Sequence, residues 1–166
     1  DHHQSHAAYA FLHSGFKQSD ILAIDGRGWN YKCLFIDKNG KITDLSEKIQ
    51  IGLQWNYFSK RLGFGHLGAG KLMGLSAHGE YNIAIHLALE DQQYDFLLNA
   101  DKKDIACTLQ HHTIDLIKRY VYPLKSCDNL CIAGGVSLNS VSMGKIYEWF
   151  PQIENFYIPP VPYDGG

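Results

Sequence analysis

The chain has 166 residues, 45% of them apolar, enough for about one ordinary domain with its own core. A formal net charge of −2 excludes the basic surplus of a general nucleic-acid binder. No run of eighteen apolar residues occurs, so no membrane-spanning helix is expected.

In chain order, residues 2–14 read as a helix, with Asp1 as N-cap and Gly15 as its stop. His2 and His6 are four apart, which on a helix places both imidazoles on one face, about one turn from each other, close enough to share a metal ion. His3 is roughly a quarter-turn away and points elsewhere. His13 is two turns along, too far for the same ion. A metal dyad needs further ligands, and the residues offer Asp25 and Asp164, each followed by glycine.

Residues 20–26 read as a buried strand ending in a glycine turn. Residues 30–37 form its antiparallel partner, Lys38-Asn39-Gly40-Lys41 a hairpin turn, and residues 41–50 a third strand. A short helix follows near 54–62. The glycine-dense stretch from Gly63 to Gly74 contains Gly68-Ala69-Gly70-Lys71. It lacks the spacing of a Walker motif and no buried strand precedes it, so it reads either as a close-packed helix start, as a turn, or as a phosphate contact through Lys71.

Residues 103–122 read as a long helix ended by Pro123, and Asn129 to Ala133 as a short buried strand. That strand runs into Gly134-Gly135 and a helix from about Ser137 to Trp149. Strand, glycine pair and helix N-terminus together allow close approach of a nucleotide, although such turns also serve packing alone. A last strand lies near 155–158, and Pro159-Pro160-Val161-Pro162 is an extended lead-in to Asp164.

The four cysteines, Cys33, Cys107, Cys127 and Cys131, form no C-x-x-C pair, and the last three lie in or beside apolar stretches. They read as small hydrophobes in a reducing cytoplasm. His66, His78, His86, His111 and His112 have no metal-type spacing to one another and read as surface or hydrogen-bonded residues. The chain opens on a histidine motif and stops at Asp164-Gly165-Gly166, so it reads as a fragment of a larger protein.

Asp25 stands at the tip of a buried strand and is flanked by Gly26 and Gly28. In actin-like and sugar-kinase-like ATPases such a hairpin faces the nucleotide phosphates, and a later strand, Gly-Gly, helix element receives the adenosine. Five segments sharpen this likeness: Asp1-His-His-Gln-Ser-His-Ala-Ala-Tyr-Ala-Phe11, Asp25-Gly-Arg-Gly28, Gly70-Lys-Leu-Met-Gly-Leu75, Ala133-Gly-Gly-Val-Ser-Leu-Asn139 and Pro159-Pro-Val-Pro-Tyr-Asp-Gly165. In that order they resemble O-carbamoyltransferases of the NodU/CmcH type, whose domain is related to tRNA threonylcarbamoyl transferases.

The resemblance implies an α/β fold: an actin-like ATPase (ribonuclease H-like) subdomain with a mixed sheet, a three-stranded antiparallel meander and flanking helices. Residues 1–166 would be the second half of the metal- and nucleotide-binding domain of a larger, cytoplasmic carbamoyltransferase. Such enzymes use carbamoyl phosphate and ATP to form carbamoyl-adenylate and pass the carbamoyl group to an acceptor hydroxyl. By resemblance, His2, His6 and Asp164 hold Fe(II), and Asp25 completes or flanks the metal shell or serves as base. Gly26, Gly28, Lys71, Gly134, Gly135, Val136 and Asn139 contact the nucleotide. His3 either contacts the acyl group or substrate or only packs. Imidazole and carboxylate suit Fe, Zn or Mn alike, so the ligand set does not choose the metal.

Three positions depart from the family pattern: Trp29 and Ala69 stand where glutamate is usual, and Tyr163 where glycine precedes the late aspartate. They bear on acceptor contacts and leave the metal residues intact. A threonylcarbamoyl transferase and a non-catalytic nucleotide-binding module are the competing readings. The isolated chain, without the first half of the fold and the domain that makes carbamoyl-adenylate, is expected not to turn over.

Overall fold

A computed structural model describes residues 2–26 and 32–164, and for Tyr147 only the backbone. Asp1, Gly28, Trp29 and Gly165 therefore lie outside the described residues. The chain divides into two compact units, one of residues 1–53 and 116–166 and one of residues 54–115.

The first unit is built on a five-stranded mixed sheet in the order β3-β2-β1-β4-β5. The strands are β1 (Asp20–Ile24), β2 (Cys33–Ile36), β3 (Ile42–Asp44), β4 (Asn129–Ala133) and β5 (Asn155–Tyr157). β1, β2 and β3 form the expected antiparallel meander, with Ala23 opposite Leu34 and Phe35 opposite Thr43. β4 joins the other edge of β1 in parallel, Ala23 beside Ala133, and β5 runs parallel to β4. Every residue of β1 is buried: Ile21 to Ile24 form the continuous apolar run of a central strand, and the Asp20 carboxylate accepts the N–H groups of Lys38, Ser126 and Cys127.

Helix α1 (His2–Ser14) lies on this sheet. Its Ala7 and Ala10 pack with Ile21, Ala23, Leu34, Cys131 and Ala133, and the alanines bring the helix backbone close to the strands. The helix stops where expected: Gly15 takes φ +73°, and the Ser14 hydroxyl donates to the Phe11 carbonyl.

Three boundaries differ from the sequence reading. The third strand is only Ile42–Asp44, because the Asp44 carboxylate accepts the Ser46 N–H at 2.9 Å and turns the chain. The short helix, α2 (Ile51–Arg61), begins earlier than 54, and its Gly52 packs against Gly26 so closely that neither position has room for a Cβ. The helix expected from Ser137 is two pieces. Gly135–Leu138 is a 3-10 turn, and α7 (Ser140–Trp149) starts afresh with Asn139 as N-cap, its Oδ1 accepting the Ser142 N–H at 3.1 Å.

The second unit holds α3 (Ala69–Ser76), α4 (Ile83–Glu90), α5 (Tyr94–Leu97) and most of α6 (Lys102–Tyr120). The sequence reading left α4 and α5 unassigned. Asn82 caps α4 by accepting the N–H groups of Ala84 and Ile85. Among the described residues, no helix is long and apolar enough to cross a membrane.

Candidate metal and nucleotide site

β1 and β4 run parallel and end side by side, so Asp25 and the Gly134-Gly135 turn emerge together at their carboxyl ends. In open α/β sheets ligands bind outside that edge. Gly134 has φ +92° and ψ 162°, and a Cβ there would lie 2.1 Å from the Ile24 carbonyl oxygen. Only glycine fits this backbone. The Gly134 N–H donates to the Pro162 carbonyl at 2.7 Å, which ties the segment leading to Asp164 onto the same turn.

Asp25 is 6% exposed, and its two oxygens have different partners. Oδ1 accepts the N–H of Gly26 at 2.7 Å and of Gly135 at 3.1 Å. Oδ2 is buried without a hydrogen bond and faces the Nε2 atoms of His2 at 3.5 Å and His6 at 3.8 Å. Asp164 brings Oδ1 to 3.0 Å from His2 Nε2 and 3.1 Å from His6 Nε2, and the two Nε2 atoms are 3.2 Å apart.

His2, His6, Asp25 and Asp164 thus present one ligand atom each, all within 4.8 Å of one another. Bonds of about 2.0–2.2 Å to one ion put neighbouring ligand atoms roughly 3.0–3.4 Å apart, so this donor set fits a single divalent metal. The unsatisfied Asp25 Oδ2 has the position and charge of a further ligand. Two imidazoles and two carboxylates suit Fe, Zn or Mn.

The other expected site residues divide into three groups. Gly134, Gly135, Val136 and Asn139 sit on the turn beside the cluster, where Asn139 already caps α7. Gly26 is packed on Gly52 and donates to Asp25. Lys71 belongs to the second unit, with its side chain exposed in the first turn of α3. His3 is 3% exposed and outside the ligand cluster, its ring edge-on to His2 with centroids 5.2 Å apart. Burial, then the neighbouring His2, lower its pKa below the ordinary imidazole value. His13 is exposed and hydrogen-bonded to the Tyr9 carbonyl.

A second cluster escaped the sequence reading: His86, Glu90 and His112 converge within the second unit. The i,i+4 spacing of His86 and Glu90 was the available signal, whereas His112 comes from a different helix.

The mixed five-stranded sheet, with helices packed on it, defines the class as an α/β domain of the actin-like ATPase fold. A solved structure of the activator of the 2-hydroxyisocaproyl-CoA dehydratase from Clostridium difficile, with bound ADPNP, superposes with a TM-score of 0.62 at 19% identity, over 96% of this chain and 60% of that one. The chain matches the family described as carbamoyltransferase N-terminus over residues 1–102 and 85–166, and it belongs to that family.

Its relatives include an uncharacterized Synechocystis protein, sll1178, 28% identical over 211 residues, covering 100% of this chain and 34% of the relative. The nodulation protein NolNO of Sinorhizobium fredii is 28% identical, over 99% of this chain and 29% of that protein. The nodulation protein NolO of Bradyrhizobium diazoefficiens is 25% identical, over 100% and 36%. The chain spans about a third of the length of these relatives.

Proposed function

We propose that this chain is the second half of the actin-like domain of a larger O-carbamoyltransferase, and that it binds a metal and a nucleotide. A carbamoyl group from carbamoyl phosphate, activated with ATP as carbamoyl-adenylate, is passed to the hydroxyl of a small-molecule acceptor. The observation that carries this reading is the convergence of His2, His6, Asp25 and Asp164 beside the Gly134-Gly135 turn, in a chain of the carbamoyltransferase family.

In this reading His2, His6 and Asp164 hold Fe(II) or another divalent ion, with Asp25 Oδ2 as the fourth protein donor. When bound, the ion supplies positive charge that neutralises phosphate and polarises the carbamoyl carbonyl. Gly134 and Gly135 leave space for the nucleotide where a side chain would block it. The acceptor oxygen attacks the carbamoyl carbon, the carbon–oxygen bond to the adenylate breaks, and AMP leaves with the electron pair. Both Asp25 oxygens are committed, one to backbone N–H groups and one to the metal cluster, which makes Asp25 a poor base. That leaves His3, against His2, to take the hydroxyl proton.

The test uses the full-length protein with ATP, carbamoyl phosphate, Fe(II) and a panel of hydroxyl acceptors, read by mass spectrometry for carbamoylated product. Product formation that needs ATP and metal and is lost in His6→Ala is the expected result. Calorimetry showing no metal-dependent binding of an ATP analogue would overturn the reading. The 166-residue chain alone is expected to give no product, since it spans only about a third of the length of its relatives.

A further inference from the structure

The second cluster shares no residue with the first and lies wholly within the second unit. α4 carries His86 and Glu90 one turn apart, and α6 contributes His112. One ring nitrogen from each histidine and one Glu90 oxygen lie within 4.8 Å of one another. The two rings meet edge-on with centroids 5.0 Å apart. The site is enclosed: His112 is 1% exposed, and the side chains of His86 and Glu90 are 12% and 31% exposed.

One distance sets the cluster apart from an ordinary hydrogen-bonded His–Glu pair. His86 Nε2 and Glu90 Oε1 are 3.6 Å apart, beyond hydrogen-bond length but close to the roughly 3.4 Å edge between two ligands of a tetrahedral ion. Gln54, 3% exposed, sets its amide nitrogen 3.3 Å from His112 Nε2 and holds that ring in place. Gln54 is itself braced by the Tyr94 hydroxyl at 3.2 Å.

We propose that His86, Glu90 and His112 form a second metal site, for a divalent ion of the zinc type, that ties α4 to α6. Two neutral imidazoles and one carboxylate are a donor set that zinc uses, leaving one tetrahedral position for water. The single negative charge half-neutralises the ion. The ligand that joins the helices stabilises the second unit by binding only its folded form.

The experiment titrates Co(II) into metal-stripped chain that carries His2→Ala and His6→Ala, which removes the first cluster. Uptake of about one equivalent is expected, with the visible bands of a four-coordinate cobalt ion, displacement by Zn(II), and a rise in Tm on metal addition. Glu90→Gln, the most exposed of the three positions, and His86→Gln should each abolish that equivalent in the same background. Either no Co(II) uptake by the doubly substituted chain, or unchanged uptake after Glu90→Gln and His86→Gln, overturns the proposal. Neither result bears on the carbamoyl-transfer reading, whose site is already disabled in this background.

Discussion

Asp25 accepts the N–H of Gly135 on Oδ1 at 3.1 Å, across the junction of the parallel strands β1 and β4. The Gly26 N–H reaches the same oxygen at 2.7 Å. Two backbone donors therefore fix the carboxylate with Oδ2 toward His2 and His6. The pairing that builds the sheet also orients Asp25 toward the histidines, so one side chain both braces the strand ends and faces the proposed metal site.

Substituting Asp25 separates those two roles. In Asp25→Asn the amide oxygen still accepts the two N–H groups while the charge facing the histidines is lost. Stability should change little, and Fe(II) or Co(II) affinity, read by calorimetry, should fall about tenfold or more. Asp25→Ala also strands the buried donors, at about 1–3 kcal/mol for each. Urea unfolding should show the alanine variant clearly less stable than the asparagine variant.

The adjacent glycines should also part company. Gly134→Ala forces a side chain into a backbone conformation that only glycine adopts, against the Ile24 carbonyl. We expect a loss of about 3 kcal/mol or more in urea unfolding. At Gly135 a Cβ would meet Asp25 Oδ1 at 3.0 Å and nothing else closer than 4 Å. Gly135→Ala should melt within a few degrees of the parent and show its effect in weakened metal binding.

The fold's central features were legible where spacing or punctuation was unambiguous. His2 and His6 at i,i+4, Asp25 at the end of an apolar run, and Gly134-Gly135 after a buried strand each announce a local geometry that the structure contains. Asp164 is different: a following glycine made it a candidate, but no strand or helix pattern fixes its place, and the family likeness is what set it beside the histidines. α4 was missed because Ile83 and Leu87, 60% and 53% exposed, put aliphatic residues on its outer face and blur the amphipathic stripe. The third strand was read too long because Asp44 ends it through a side-chain turn. His86 and His112 are brought together by helix packing, which no spacing in one chain reports.

The cysteines offer a probe of the fold that is independent of function. Burial raises the thiol pKa of all four, Cys33 furthest, so little thiolate forms at pH 8. Cys33 and Cys131 are buried, whereas Cys107 and Cys127 are part-exposed. Iodoacetamide labelling followed by peptide mass spectrometry should modify Cys107 and Cys127 first. Cys33 and Cys131 should react only when the chain is unfolded in urea. Rapid labelling of Cys131 in native buffer would contradict its place against Ala7 and Ala10.

Three histidines of α1 give a graded test of the proposed metal site. His6 presents a side chain only 8% exposed, with Nε2 3.1 Å from Asp164, so His6→Ala removes both a ligand and buried packing. Metal affinity should fall about 100-fold or more, beyond the effect of an outer-shell partner, and Tm should fall as well. His2, with a side chain 49% exposed, contributes its ligand atom but little packing. His2→Ala should therefore match the affinity loss of His6→Ala while leaving the apo chain's Tm nearly unchanged. His13 lies on the same helix but is exposed and bonded to the Tyr9 carbonyl. His13→Ala should leave both readings where they are, and equal loss of affinity in all three variants would mean that the metal is held by general histidine content and not by this cluster.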